Sequence, residues 1–555
     1  MAKIEFDKIM LLVFFALMLF LAGIPFEHKI RHDFPFGYGA SDSFQHQIRA
    51  EAIKDMGNFK YEAPYISKGI SNSVGRYPPL IYHLAVIFSY ASGIETYDSI
   101  YFIVLFFVII AALVMFIIVG NFSKTVALIS LPISILIFSK PITAGILWGH
   151  WPSLLSQSFL ILFFWSVMRM EIKNSFLLFA ISLSAVALTH TSEMFFAFLF
   201  LFLFFGVKLF AKRFSKGEFK NLLLSLAVFF AISFYYLIIF QNTWASGDSY
   251  SFAIEPVWKG NPGFYIAGFG LLLIPIIAGI LFSFSKLKEA HACLILAFAM
   301  LLSGFLNYIG FGLRSFQIRF FWPIYLSVFF GFGIYALFKL VIRKWNLIYT
   351  LIFFIISAIF LIGIIKLPIL KQTEIMAIPS IPYFNMDANQ GIMNPYHWEA
   401  LNWISRNTNE NSAIYFFYGD IYSQDALLRN TKRVHSQIDP EDFIKSLEER
   451  KIKKTYVSEF PGDTGGVITY RVSFFKFEDA TKNLAANFHF GAKNICNFDY
   501  FVFDKITQQK ALSQYNLLIA QQLALKNATK VFENPVVFIL KNSNKGGNCI
   551  EERSF

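Results

Sequence analysis

The sequence predicts a polytopic α-helical membrane protein of about eleven spans (residues 1–370) followed by a C-terminal extracytoplasmic α/β domain (residues 371–555). Three observations carry this. The 555 residues are 56% hydrophobic and 19% aromatic but only 15% charged, with a mean hydropathy of +0.53, far from the balance of a water-soluble domain. Apolar runs of about 17–25 residues, long enough to cross a hydrocarbon core of roughly 30 Å, recur from Leu11 to about Lys366 and then stop. From about Lys371 the sequence is polar and mixed, and what remains is the size of one globular domain.

The first run, Ile9 to Pro25, follows Lys3 and Lys8, and no small-residue cleavage site follows it. It is therefore expected to stay as an anchor rather than leave as a signal peptide. A long polar segment, 26–98, comes next. Its apolar piece Leu80–Ser92 is short for a span and contains His83, which predicts an interfacial or re-entrant element. Further spans are read at 98–119, 124–139, 152–168, 174–189, 193–211, 220–240, 265–284, 290–308, 320–340 and 347–367.

Lys and Arg set the orientation. With the N-terminus cytoplasmic, the inner segments carry fifteen of them, and the short outer loops carry only Lys140, Lys259, Arg314 and Arg319. This places the 26–98 segment and the C-terminal domain outside the cell membrane. It also explains the net charge of +12 without nucleic acid, because the excess lies in short loops rather than in one basic stripe.

Past a link from Lys366 to about Asn394, β-rich runs (Ala413 to Tyr418, Val467 to Phe477, Phe498 to Asp504, Val536 to Leu540) alternate with helical patterns (His397 to Arg406, Lys510 to Leu525), which predicts an α/β domain. Cys496 and Cys549 both fall in it, and a disulfide between them requires an oxidising compartment.

The richest chemistry lies in the first outer segment. Asp42 opens a helix-like run and His46 follows four residues later, so the two share one helical face. A carboxylate there can take a proton from an acceptor hydroxyl. A neighbouring imidazole can hydrogen-bond it, bind phosphate or help ligate a metal. The competing reading, a capping box of Asp42 with Gln45, is compatible with that role. Tyr77-Pro78-Pro79 forces an extended approach and then permits a helix to start. The orientation also gathers His150, His190, Glu193, Arg314 and Arg319 on the side of Asp42, although polar side chains at span ends also reach headgroups with no further function.

This order of elements resembles the C-type (GT-C) membrane glycosyltransferases, the superfamily of protein O-mannosyltransferases, aminoarabinose transferases and oligosaccharyltransferase catalytic subunits. Asp42 near the start of the outer segment, the amphipathic run Phe44 to Met56, and Tyr77-Pro78-Pro79 before the next apolar run match in sequence. Gly149-His150-Trp151-Pro152, Leu188-Thr189-His190-Thr191, Arg319-Phe320, Trp398 to Ile404 and Val531 to Val537 extend the resemblance along most of the chain. One departure is clear: the metal-dependent members carry a second acidic motif in a later outer loop, and the loop from Lys140 to Trp151 has no carboxylate. Glu193 is the only nearby acidic candidate to join Asp42 on a divalent cation, so no metal set is assigned.

The resemblance implies transfer of a sugar from a polyprenyl-phosphate-linked donor to a glycan, lipid or protein acceptor at the outer membrane face. Asp42 would be catalytic. His46, Tyr77, His150, His190, Glu193, Arg314 and Arg319 would bind substrate, the arginines at the lipid phosphate. The sequence has no Walker, dinucleotide, zinc or nucleophile-elbow motif, which fits a donor activated in the membrane rather than a soluble nucleotide. The alternatives are a transporter or flippase for a lipid-linked solute, expected to carry interrupted helices and midplane charges, and a non-catalytic membrane protein with a binding ectodomain.

Overall fold

A computed structural model describes residues 6–23, 33–35, 38, 41–59, 63–67, 77–138, 142, 145–146, 148–172, 174–210, 212–245, 263–267, 269–289, 291–309, 315–342, 346–366, 393–417, 425–437, 454–458, 470–474, 495–505, 517, 520–521 and 523–546. The chain forms two compact units: Met1–Arg31 with Arg76–Asn385, and His32–Gly75 with Met386–Phe555.

The first unit is helical. Among the described residues, three helices are long and apolar enough to cross a membrane by length and composition, Thr96–Gly120, Thr191–Phe210 and Lys216–Ile238, and nine shorter apolar helices accompany them. Large apolar side chains such as Phe202, Phe234, Leu281 and Leu340 are exposed along these helices, as a hydrocarbon solvent permits. Helix ends follow local chemistry. Leu80–Ser92 starts behind Pro78-Pro79 and stops at Gly93, which takes the left-handed conformation. Lys124–Ser130 is capped by the Ser123 hydroxyl and tightens into a 3-10 helix at Leu131–Phe138, where Pro132 supplies no amide donor. The run read as one span at 320–340 is broken into Ser315–Phe320, Trp322–Tyr325 and Ser327–Val341, with Pro323 at the break.

Small residues let these helices approach closely. Leu273–Phe284 packs on Ser327–Val341 through Gly279 and Gly333: a Cβ on Gly279 would sit 1.8 Å from the Phe329 carbonyl oxygen, and one on Gly333 1.9 Å from that of Pro275.

The second unit joins the 32–75 segment to an α/β domain. Its strands are β1 (Ala413–Phe416), β2 (Val434–Gln437), β3 (Lys454–Ser458), β4 (Tyr470–Phe474), β5 (Tyr500–Asp504), β6 (Ala528–Glu533) and β7 (Val537–Asn542). Five form a mixed sheet in the order β2-β1-β5-β7-β6, and β3 and β4 form a separate antiparallel pair. β1 runs parallel to both β2 and β5, whereas β7 is antiparallel to β5 and β6. Phe417, Phe503 and Phe538 stack at 4.1 and 4.9 Å in the sheet core. The Pro395–Asn407 helix starts at a capping box made by Asn394 and His397. Cys496 is disulfide-bonded and Cys293 is free. Cys549, Arg314 and most of Lys510 to Leu525 lie outside the described residues.

The Ser41–Met56 helix, which carries Asp42, belongs to this second unit. Phe44, Ile48 and Ala52, four residues apart, are buried on one face; Ile48 and Ala52 cluster with Ala63, Tyr65 and Ile66. Trp398 packs against Phe34 at 6.4 Å and Phe44 at 6.3 Å. At the far end of the helix, Lys432 Nζ bridges Glu51 at 3.1 Å and Asp55 at 2.6 Å, and the Tyr65 hydroxyl donates to Asp55 at 3.2 Å.

Candidate functional site

In the second unit, Ser41 opens the helix and Asp42 lies in its first turn, where the positive end of the helix dipole favours a carboxylate. Asp42 is exposed and His46 is buried, so the shared face turns one outward and the other into the unit.

The helical unit holds the other described candidates. His150 occupies the N-cap position of Trp151–Val167, with Pro152 in the first turn. Its ring packs edge-on against Trp148 and Phe316 and tilted on Phe320, at 6.1, 5.7 and 5.5 Å. Tyr77 is half-buried ahead of buried Pro78 and Pro79. The turn is tied to the His190 segment, because the Leu80 amide donates to the Leu188 carbonyl at 2.8 Å.

His190 precedes the Thr191–Phe210 helix and Glu193 lies in its first turn. Glu193 is fully buried. Its Oε2 meets His190 Nδ1, and its Oε1 accepts from the Ser153 hydroxyl at 2.7 Å. Gln157, one turn after Ser153, donates to Ser153 Oγ at 3.4 Å and to the Gln317 carbonyl at 2.6 Å. One polar chain thus runs from His190 through Glu193, Ser153 and Gln157 to the short helix that bears Arg319.

Arg319 is also fully buried. Its Nε donates to the Gly304 carbonyl at 2.7 Å and its Nη2 to Asn307 Oδ1 at 2.6 Å. The rings of Tyr265 and Tyr308 lie 5.6 and 5.9 Å from the guanidinium carbon. These contacts fix the orientation of the guanidinium. The helical unit therefore assembles Tyr77's turn, His150, His190, Glu193 and Arg319. It adds Ser153, Gln157, Asn307, Gln317 and the two tyrosines, none of which was picked out from the sequence. Ser153 and Gln157 left one usable signal, two polar residues at helical spacing in an apolar run.

Among the described residues no group of three or more His, Cys, Asp or Glu side chains could hold an ion, and both Glu193 oxygens are already engaged.

No protein-family model matches the sequence, and no curated protein matches it either. Solved structures do match. ArnT from Cupriavidus metallidurans bound to undecaprenyl phosphate aligns with TM-score 0.52 and 12% identity over 96% of this chain and 98% of that one. The same protein in the apo state gives 0.55 and 11% over the same shares. The archaeal oligosaccharyltransferase AglB from Archaeoglobus fulgidus, in complex with an inhibitory peptide and a dolichol-phosphate, gives 0.50 and 13% over 97% of this chain and 75% of its own. Over nearly its whole length the chain shares the fold of these solved structures of ArnT and AglB.

Proposed function

We propose that the protein is a multi-pass membrane glycosyltransferase of about eleven spans that moves a sugar from a polyprenyl-phosphate donor to an acceptor at the outer face. In this reading the N-terminus is cytoplasmic, residues 1–370 form the membrane domain and residues 371–555 an external domain that holds the acceptor. The observation that carries it is Arg319: a fully buried guanidinium oriented by the Gly304 carbonyl and the Asn307 side chain, in a fold shared with a structure bound to undecaprenyl phosphate. A buried cation of this kind suits a phosphate, which guanidinium recognises with paired donors.

The reaction is a single displacement. The acceptor hydroxyl oxygen bonds to the anomeric carbon as the bond from that carbon to the phosphate oxygen breaks, the electron pair leaving with the phosphate. Asp42 takes the hydroxyl proton, and Arg319 stabilises the departing charge; His46, Tyr77, His150 and Arg314 contribute to substrate binding. The product sugar is inverted at its anomeric carbon. Asp42→Asn is expected to lower kcat by about 10²-fold or more with an unchanged thermal midpoint, and Arg319→Lys to raise the KM for donor. Retention of anomeric configuration, or full turnover in Asp42→Asn, contradicts the mechanism.

A further inference from the structure

The mechanism above leaves one buried titratable pair unused. Glu193 is fully buried, and its two oxygens are engaged by the Ser153 hydroxyl from another helix and by His190, three residues before it. Burying a carboxylate among apolar helices is costly. A helix-capping purpose does not require it: a first-turn carboxylate gains its dipole stabilisation at the surface as well. What Glu193 does accomplish is to hold the His190 ring by Nδ1. The ring's Nε2 has no hydrogen-bond partner among the described residues, and the His190 side chain is 15% exposed while that of Glu193 is 0% exposed. A carboxylate on one imidazole nitrogen fixes the ring's orientation and leaves the other nitrogen for proton transfer. The hydrogen-bonded chain through Ser153 and Gln157 ends on the main chain of Gln317, two residues before Arg319.

We infer that His190 is a catalytic acid for the lipid-phosphate leaving group and that Glu193 is its positioning residue, an assignment that rests on the glycosyl transfer proposed above. As the bond between the anomeric carbon and the phosphate oxygen breaks, its electron pair goes to that oxygen, which takes the proton from His190 Nε2. The acceptor proton goes to Asp42. Asp42 then gives its proton to water and His190 takes one back from water, so each turnover balances. The titratable environment of the ring is sparse. Glu193 lies on the following helix and Tyr325 is close enough to Glu193 to feel its charge. Of the helices packed on Thr191–Phe210, Trp151–Val167 and Ser175–Ala187 carry no titratable side chain, and Ala292–Ser303 carries only Cys293.

The test uses the full-length protein in lipid with a polyprenyl-phosphate sugar donor that the wild type uses. His190→Gln is expected to lower kcat by about 10²-fold with little change in donor KM. It should also abolish the alkaline fall in kcat/KM that an imidazolium acid imposes. In His190→Ala, added imidazole should restore part of kcat, which a purely structural role would not allow. Glu193→Gln, which keeps the shape, should lower kcat and leave imidazole without effect, since His190 is still present. Equal activity in His190→Gln, or loss with an unaltered pH profile and no rescue in His190→Ala, overturns the assignment and leaves the transfer reading standing. Absence of transfer by the wild type with every donor removes both.

Discussion

Substituting Gly333 by alanine probes how closely the helical unit is packed. The added Cβ would stand 1.9 Å from the Pro275 carbonyl oxygen and 2.7 Å from the Gly279 amide nitrogen. Both are backbone atoms, so no side chain can rotate away. The Leu273–Phe284 and Ser327–Val341 helices must separate by about 1 Å, and a gap of that size forfeits roughly a quarter to a half of each van der Waals contact along the seam. Overpacking of this kind costs about 1–3 kcal/mol, and backbone against backbone belongs at the upper end. Gly206→Ala is the control, because nothing lies within 4 Å of its Cβ and alanine is the better helix former by about 1 kcal/mol. Thermal unfolding of the purified protein in one detergent, followed by size-exclusion chromatography, reads the difference. Gly333→Ala should melt several degrees below wild type and Gly206→Ala at or above it. Equal midpoints for the two variants would refute the close approach.

Two further predictions concern the second unit. Trp398→Ala removes the ring that packs on Phe34 and Phe44, at a cost of about 3–5 kcal/mol. Hydrogen exchange should then show lost protection in Ser41–Met56, and unchanged protection there would contradict the packing. For Lys432, burial alone would lower the ammonium pKa, but Glu51 and Asp55 outweigh it and hold it above the ordinary lysine value. A raised folded pKa means the contribution is complete below the unfolded value of about 10.4 and is lost as pH rises through the folded one. Wild-type stability should therefore fall at alkaline pH by a step that Lys432→Met lacks, and identical pH dependence in the two would remove the bridge.

Local patterns located most helices. The run read at 152–168 is the Trp151–Val167 helix, and that at 193–211 is Thr191–Phe210, because an apolar run of that length has few other structures open to it. Among the strands, β1, β4, β5 and β7 coincide with β-rich runs, while β2 (Val434–Gln437), β3 (Lys454–Ser458) and β6 (Ala528–Glu533) carry no such run. β6 is largely exposed, and its mixed composition carries no clear alternation. His190, Glu193 and Arg319 stand out in the sequence as single residues but not as an assembly. His190 and Glu193 are near neighbours in sequence. Ser153 meets Glu193 across 40 residues, however, and Gln157 meets Gln317 across 160, and no periodicity reports such pairings. The packing of the 32–75 segment with the C-terminal part of the chain is equally silent locally, since it depends on where Trp398 and Lys432 are brought by the fold.

The activity proposed for the protein is sugar transfer from a lipid-phosphate carrier. The direct measurement is transfer of radiolabelled sugar from a panel of polyprenyl-phosphate donors by the purified protein in lipid, beside Asp42→Asn, with and without divalent ions. Transfer from at least one donor, lost in Asp42→Asn, is the expected result. No transfer with any donor from folded protein would contradict it.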